Sequence, residues 1–323
     1  MAPNSLVPAN AWDTHIHVFD PDNFPYSPKR SYTPKPALIT EYPFSTTGCK
    51  NIVVVQATVQ GHSPNPLLAD LGNKSTQATN IRGLCTIELS PETSDAELDT
   101  LHAAGVRGIR MSTMTWGHGT QAEAFEIAEK ILAVAERVAR LAWVVDVFTD
   151  VKTWAAMADL IRRELDMRVK LVADHCGGTY PGQEETEDFE KFLQLVREGF
   201  LFVKLSGFDR MYAGREGGMA AMEPIVKAIV EANPKRILYG SGTFPYPPAP
   251  AWFRQALLMS VTDWPHTQLG VSRKGKSDDQ RLKDVEDFRD VDDEMHIRTL
   301  RGWIPDDETW QNLWVNNPKQ VFE

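Results

Sequence analysis

Cysteine is scarce in this chain, and a long apolar run is missing altogether. Cys49, Cys85 and Cys176 are the only three thiols in 323 residues. They are too few and too scattered for a disulfide framework, and they suit buried thiols in a reducing compartment. No apolar stretch approaches the roughly 20 residues that cross a bilayer. The opening MAPNSLVPANAWD lacks the basic start and apolar stretch of a secretion signal. The expected location is therefore the cytoplasm, with no membrane partner. A basic excess is lacking as well. The net charge of −10 argues against nucleic acid and against anionic membranes as partners. It leaves a small anionic substrate open, because a few local arginines override a global field. No internal repeat or low-complexity tract is evident.

What is present is alternation. Eight short apolar runs, at 12–19, 51–57, 83–87, 106–111, 142–147, 169–174, 200–206 and 236–241, read as strands. Most are rich in Val, Ile and Leu with little polar alternation, as strands buried on both faces are. Helical patterns lie between them. The segment 94–104 opens with Ser94 as an N-cap and Glu97 three residues on. The segment 121–140 carries Phe125, Ala128, Ile131, Leu132 and Ala135 at helical spacing. Further helices are expected at 151–165, 187–198, 217–232, 294–300 and 307–314. Strand–helix alternation repeated eight times predicts a single-domain α/β protein of 1–323, a (β/α)8 TIM barrel. The charged stretch 272–293 reads as a solvated surface segment.

In such a barrel the chemistry sits at the C-terminal ends of the strands. Polar residues collect there. Strand one carries Asp13-Thr14-His15-Ile16-His17, and strict alternation puts Asp13, His15 and His17 on one face. Gln56 and Thr58 follow strand two, Arg110 ends strand four, Asp146 ends strand five, and Asp174-His175 end strand six. Lys204, Ser206, Asp209 and Arg210 close strand seven. Imidazoles at this spacing either ligate one divalent ion or polarise a carbonyl directly. A guanidinium at a barrel mouth needs an anion, either a substrate carboxylate or a neighbouring barrel carboxylate. Asp174 reads as an anchor by hydrogen bonds. His62, His102, His118 and His296 fall in loop or helix contexts and read as surface residues.

The motifs Asp13-Thr14-His15-Ile16-His17-Val18-Phe19, Arg30-Ser31-Tyr32-Thr33-Pro34, Val55-Gln56-Ala57-Thr58 and Arg107-Gly108-Ile109-Arg110 are together specific. So are Asp174-His175-Cys176-Gly177, Val203-Lys204-Leu205-Ser206-Gly207 and Asp263-Trp264-Pro265-His266-Thr267. As a set they resemble the amidohydrolase superfamily, in its amidohydrolase-2 branch and near its lactonases. The resemblance covers most of the chain. It implies a (β/α)8 hydrolase that opens a small, carboxylated lactone by water attack on the ester carbonyl. It implies Asp263 as general base, with His15, His17 and His175 polarising the carbonyl or holding metal together with Asp263. It implies Arg110, Tyr32, Thr58 and His266 as substrate contacts, and Arg210 beside them is a further candidate. The expected cofactor is none or one divalent metal, zinc first. The expected partners are the lactone and a homo-oligomer, whose size the sequence leaves open. Alternatives are a metal-dependent decarboxylase of an aromatic acid on the same fold, or an inactive ligand-binding barrel.

The chain departs from that pattern in three places. Gly178 stands where the dicarboxylate-handling members carry an arginine, which implies a substrate that is less anionic or differently shaped. Asp146 replaces the strand-five histidine of metal-dependent relatives, and no strand-four lysine is present to bridge a binuclear centre. The third departure is an insertion, 242–262, between Gly240-Ser241 and Asp263-Trp264. It interrupts the end of strand eight and is expected to distort it there. The segment also permits a reading as a translated intron. With Gly242 encoded GGT and Thr262-Asp263 as ACA-GAC, removal from GT to AG would rejoin Gly240-Ser241 directly to Asp-Trp-Pro-His.

Overall fold

In the computed structural model, eight strands run parallel in one sheet whose order follows the chain. The structure describes residues 6–30, 32–90, 92–112, 121–212, 215–241, 277–286, 288 and 291–323. The strands are β1 (Trp12–Ile16), β2 (Asn51–Val55), β3 (Asn80–Cys85) and β4 (Val106–Ser112). β5 (Val144–Phe148), β6 (Lys170–Ala173), β7 (Leu201–Leu205) and β8 (Ile237–Tyr239) complete the set. All eight expected strands are present, with ends moved by a few residues. Helices fill the crossovers: α1 (Asn65–Leu71), α2 (Asp95–Ala103), α3 (Gln121–Val138), α4 (Val151–Glu164), α5 (Glu187–Arg197) and α6 (Glu223–Ala232). After β8 comes α7 (Asp293–Trp303). This is the expected (β/α)8 barrel. The capping box expected for α2 is formed: Ser94 Oγ accepts the Glu97 amide at 3.2 Å and Glu97 accepts the Ser94 amide at 2.7 Å.

Alternation divides the strand residues between two cores. Trp12, Val53, Val55, Leu84, Val144, Val172, Phe202 and Leu238 form an inner cluster that Phe322 joins from the C-terminal end. Arg82 closes that end by donating to the Phe322 carbonyl at 3.2 Å. Ile52, Val54, Ile109, Val145, Leu171, Val203 and Ile237 instead join the larger outer cluster beneath the helices. Gly108 is required by this packing, because a Cβ there would lie 2.3 Å from the Val144 carbonyl oxygen.

The seam between β8 and β1 is closed by side chains. Thr14 Oγ1 donates to the Tyr239 carbonyl at 2.6 Å, and the Ser241 amide donates to Asp13 Oδ1 at 2.9 Å. Gly240 lets the strands approach, since a Cβ would sit 2.7 Å from His15 Cβ. β8 pairs in regular register with β7 through Tyr239, and among the described residues no backbone ladder joins it to β1. The insertion 242–262, with Asp263 and His266, lies outside them, as does His118.

Three expectations need correction. Asp13 does not share a face with His15 and His17. The register shifts between Asp13 and Ile16, which pair with Ile52 and Val54 respectively. The extra residue of this bulge turns Asp13 outward and both imidazoles inward. There Asp13 Oδ2 accepts from Tyr42 Oη at 2.8 Å. His296 is not a surface residue but is buried between Phe208 and Tyr212. Asp293, placed at the end of the charged surface stretch, is buried at the start of α7.

Candidate active site

Above the inner apolar cluster, the next inward position of four strands is charged. Two residues beyond Gly108, Val144, Val172 and Phe202 stand Arg110, Asp146, Asp174 and Lys204. All four are buried. Lys204 Nζ donates to Asp146 Oδ2 at 2.6 Å, lies 3.0 Å from Asp174 Oδ1, and donates to His15 Nδ1 at 3.2 Å. Arg110 Nε lies 3.8 Å from Asp174 Oδ2, too far for a hydrogen bond. Both atoms lack a hydrogen-bond partner among the described residues. Arg110 thus brings a buried, partly unsatisfied guanidinium to the mouth.

The imidazoles sit on this charged layer. His15 Nε2 is 3.3 Å from His17 Nε2, and the His15 and His175 rings lie 4.8 Å apart. The outer nitrogen of each ring is anchored. His17 Nδ1 meets the Val55 carbonyl at 2.6 Å, His175 Nδ1 meets Ser206 Oγ at 2.9 Å, and His15 Nδ1 lies 3.2 Å from Asp174 Oδ1. His175 is delivered by a left-handed turn: His175, Cys176, Gly177 and Gly178 all have φ between 51° and 67°. Glycine is needed at its end. A Cβ on Gly177 would lie 2.4 Å from Phe192, and one on Gly178 would lie 2.1 Å from the Thr149 carbonyl oxygen. No arginine can occupy position 178 on this backbone.

Burial sets the charge states. It lowers His15 to about 4, with the Asp174 charge opposing and Lys204 adding to the shift. Burial and the neighbouring cationic groups hold His17 and His175 well below the usual imidazole range. Burial raises Asp146 to about 8, helped by the adjacent Asp174 charge and opposed by Lys204. Burial alone would raise Asp174 too, but Lys204 and His15 hold it well below the usual carboxylate range. At neutral pH the site therefore combines neutral imidazoles and the ionised Asp174 with the side chains of Arg110, Lys204 and Arg210.

Of the other expected site residues, Arg210 lies at this mouth, its Cζ 5.4 Å from the Phe148 ring, whose edge meets His175. Tyr32 packs one layer farther out, against the cluster of Phe19, Ala37, Ala57 and Val59, and Phe19 stacks on His17. Thr58 is exposed, in a short turn after β2. Gln56 is a brace: its side chain bonds the Gly61 and Ser63 carbonyls and the Thr86 amide. Of the surface histidines, His62 is exposed as expected, whereas His102 is half-buried and accepts from Trp143 Nε1 at 2.9 Å. The sequence reading gave Lys204 no role. Its signal was there, as a lysine inside the apolar run Leu201–Leu205, one alternation above Phe202.

The donor set fits a divalent ion. Two imidazole nitrogens that share a tetrahedral ion at about 2.0–2.1 Å lie about 3.3–3.4 Å apart, and His15 Nε2 and His17 Nε2 are separated by 3.3 Å. His15, Asp174 and His175 also bring one ligand atom each within 4.8 Å of one another. The anchored outer nitrogens supply the second layer that metal-binding imidazoles use.

A family model described as amidohydrolase, Amidohydro_2, matches residues 12–322. A 2-pyrone-4,6-dicarboxylate hydrolase of Comamonas testosteroni is 29% identical over 99% of this chain and 92% of its own length. A 4-sulfomuconolactone hydrolase of Hydrogenophaga intermedia is 24% identical over 98% of this chain and 90% of its own. Among solved structures, an apo protein of Agrobacterium tumefaciens superposes with a TM-score of 0.69 at 21% identity. That match covers 99% of this chain and 96% of the other.

Proposed function

The chain belongs to the amidohydrolase family, and from that premise we propose that it opens the ring of a small, carboxylated lactone by hydrolysis. The observation that carries this reading is the cation-rich cage of three neutral imidazoles, with the unsatisfied Arg110 Nε at its edge. Neutral imidazoles polarise a carbonyl, and a guanidinium holds a carboxylate. The relatives named above are lactone hydrolases by name, which supports hydrolysis over decarboxylation of an aromatic acid. The intact charged layer and the anchored imidazoles argue against an inactive binding barrel.

In the mechanism, Asp263 takes a proton from water as the water oxygen attacks the ester carbonyl carbon. His15, His17 and His175 face the oxyanion that forms. Collapse breaks the ring C–O bond, and the leaving oxygen takes the proton back from Asp263. The product is a ring-opened hydroxy acid that ionises and releases a proton. Arg110 holds a substrate carboxylate, with Arg210, Tyr32, Thr58 and His266 as further contacts. One divalent ion, zinc first, would be held by His15, His17, His175 and Asp263, and would supply Lewis acidity at the carbonyl. The reading is of one barrel domain over 1–323 carrying an insertion at 242–262, working in the cytoplasm. No helix among the described residues is long and apolar enough to cross a membrane.

Proton release against muconolactones, pyrone carboxylates and sugar-acid lactones tests the proposal. The chain would be run beside a version lacking 242–262 in which Ser241 is joined to Asp263. Turnover of a carboxylated lactone by either form supports it, and silence of both forms across the panel refutes it.

A further inference from the structure

From the buried hydrogen bonds we infer that Lys204 is a positioning residue. It fixes the proton of the metal-free His15 on Nε2, making His15 a hydrogen-bond donor to His17, and a divalent ion held by these rings would shift that proton to Nδ1. The inference rests on the proposed role of the imidazoles, but its test does not depend on turnover.

The proton count starts at His17. A carbonyl oxygen only accepts, so the 2.6 Å bond between His17 Nδ1 and Val55 puts the His17 proton on Nδ1. The neutral ring then offers only a lone pair at Nε2. The facing nitrogen, His15 Nε2, is 3.3 Å away. Two lone pairs at that distance repel, so the neutral His15 ring carries its proton on Nε2 and donates it to His17. His15 Nδ1 is then an acceptor, and the donor beside it is Lys204 Nζ at 3.2 Å.

Lys204 matches this assignment. Its ammonium has three N–H donors, and three acceptors surround it: Asp146 Oδ2 at 2.6 Å, Asp174 Oδ1 at 3.0 Å and His15 Nδ1 at 3.2 Å. Lys204, Asp146 and Asp174 are fully buried, so water does not take over a lost bond. The opposite tautomer, with the proton on Nδ1, would point an N–H at the Lys204 ammonium and leave two lone pairs facing across to His17. It gains a charge-assisted bond to Asp174 Oδ1, 3.2 Å away; in the Nε2–H form that oxygen faces the Nδ1 lone pair, and the Lys204 ammonium beside both atoms offsets their repulsion. A divalent ion held by His15 and His17 would reverse the balance, since each ring would have to offer it a lone pair; the His15 proton would then sit on Nδ1 and be donated to Asp174. Lys204 then keeps its two carboxyl partners and loses the third. Lys204 thus favours the donor form of His15 over its ligand form.

The tautomer is read directly by long-range proton–nitrogen NMR of full-length protein labelled with 15N-histidine and stripped of metal. The His15 signals are assigned by their loss in His15→Gln. We expect His15 protonated on Nε2 in the wild type and on Nδ1 in Lys204→Met. Zinc added to the wild type should move the His15 proton to Nδ1. A metal-free wild type protonated on Nδ1 overturns the inference, whether or not the variant folds. So does a Lys204→Met spectrum with the wild-type tautomer. If no lactone is turned over, the functional reading fails while these spectra still decide the role of Lys204.

Discussion

Removing the Lys204 ammonium should cost the barrel more than removing any surface ion pair. Lys204→Met keeps most of the side-chain volume and deletes three donors from a site where Lys204, Asp146 and Asp174 have no exposure. Asp146, pushed upward by burial and by the adjacent Asp174 charge, takes up a proton more readily than Asp174 once the ammonium is gone. Asp174 does not tolerate the loss, because it is held ionised chiefly by Lys204, and its remaining cationic neighbour, Arg110, stands 3.8 Å away. Breaking a buried pair from one side costs about 3–5 kcal/mol. An exposed pair such as Arg140–Asp99 contributes at most about 1 kcal/mol. The loss would be a large part of a typical total stability of about 5–15 kcal/mol. The assay is urea unfolding at pH 7, followed by the fluorescence of buried Trp12, Trp143, Trp154 and Trp314. Lys204→Met, Asp174→Asn and the double variant make a cycle. Removing both charges should recover part of the loss, giving a coupling of at least about 2 kcal/mol. A loss under about 1 kcal/mol in Lys204→Met, or strict additivity in the cycle, would refute the reasoning.

The remaining predictions concern pH, the substrate and the insertion. The unfolded chain protonates its histidines near 6.5, whereas folded His15 waits until about 4 and His17 and His175 are shifted the same way. Asp146, at about 8 when folded and near 3.8 when unfolded, works in the opposite direction. Asp13, Asp70 and Asp293, which burial also raises, act in the same direction as Asp146, so the imidazole contribution is read by difference: His17→Gln should lose less stability than the wild type between pH 6.5 and 4.5. Above pH 7 the effect of the raised carboxyls remains, Asp146 and Asp293 among them, and stability should decline towards pH 8. Urea midpoints of the two proteins that move in parallel between pH 6.5 and 4.5 would contradict this. Arg110→Met should raise KM at least tenfold for carboxylated lactones and little for neutral ones, and equal effects would make Arg110 structural. Gly178→Arg should destabilise by more than about 3 kcal/mol in thermal unfolding, because its Cβ meets the Thr149 carbonyl oxygen at 2.1 Å. Asp263→Asn should abolish turnover at unchanged stability. Transcripts that all retain the codons for 242–262 would remove the intron reading.

Much of the molecule was legible because it depends on local pattern. Runs such as Asn51–Val55 and Val144–Phe148 are β-branched on both faces, which leaves a doubly covered parallel strand as their stable setting. The capping residues and helical spacing then fix the crossovers, and eight repeats of the pair dictate the barrel. The same logic places His15, His17, Arg110, His175 and Arg210 at the catalytic end without knowledge of any contact. Strand alternation could also have singled out Lys204, since a lysine flanked by Val203 and Leu205 must be buried and paired.

Tertiary structure decided what alternation could not. The bulge between Asp13 and Ile16 reverses which face each residue presents, and a bulge depends on pairing with β2 and on the β8 seam. His296 and Asp293 look polar and peripheral in the sequence, and they are buried only because α7 packs back onto the barrel wall. The choice of partners for Lys204 is of the same kind. Asp146, Asp174 and His15 are 58, 30 and 189 residues away in sequence. They meet because a closed parallel barrel brings the same level of every strand to one axis. The sequence determined which residues reach that level, and the closure of the barrel determined which of them share a proton.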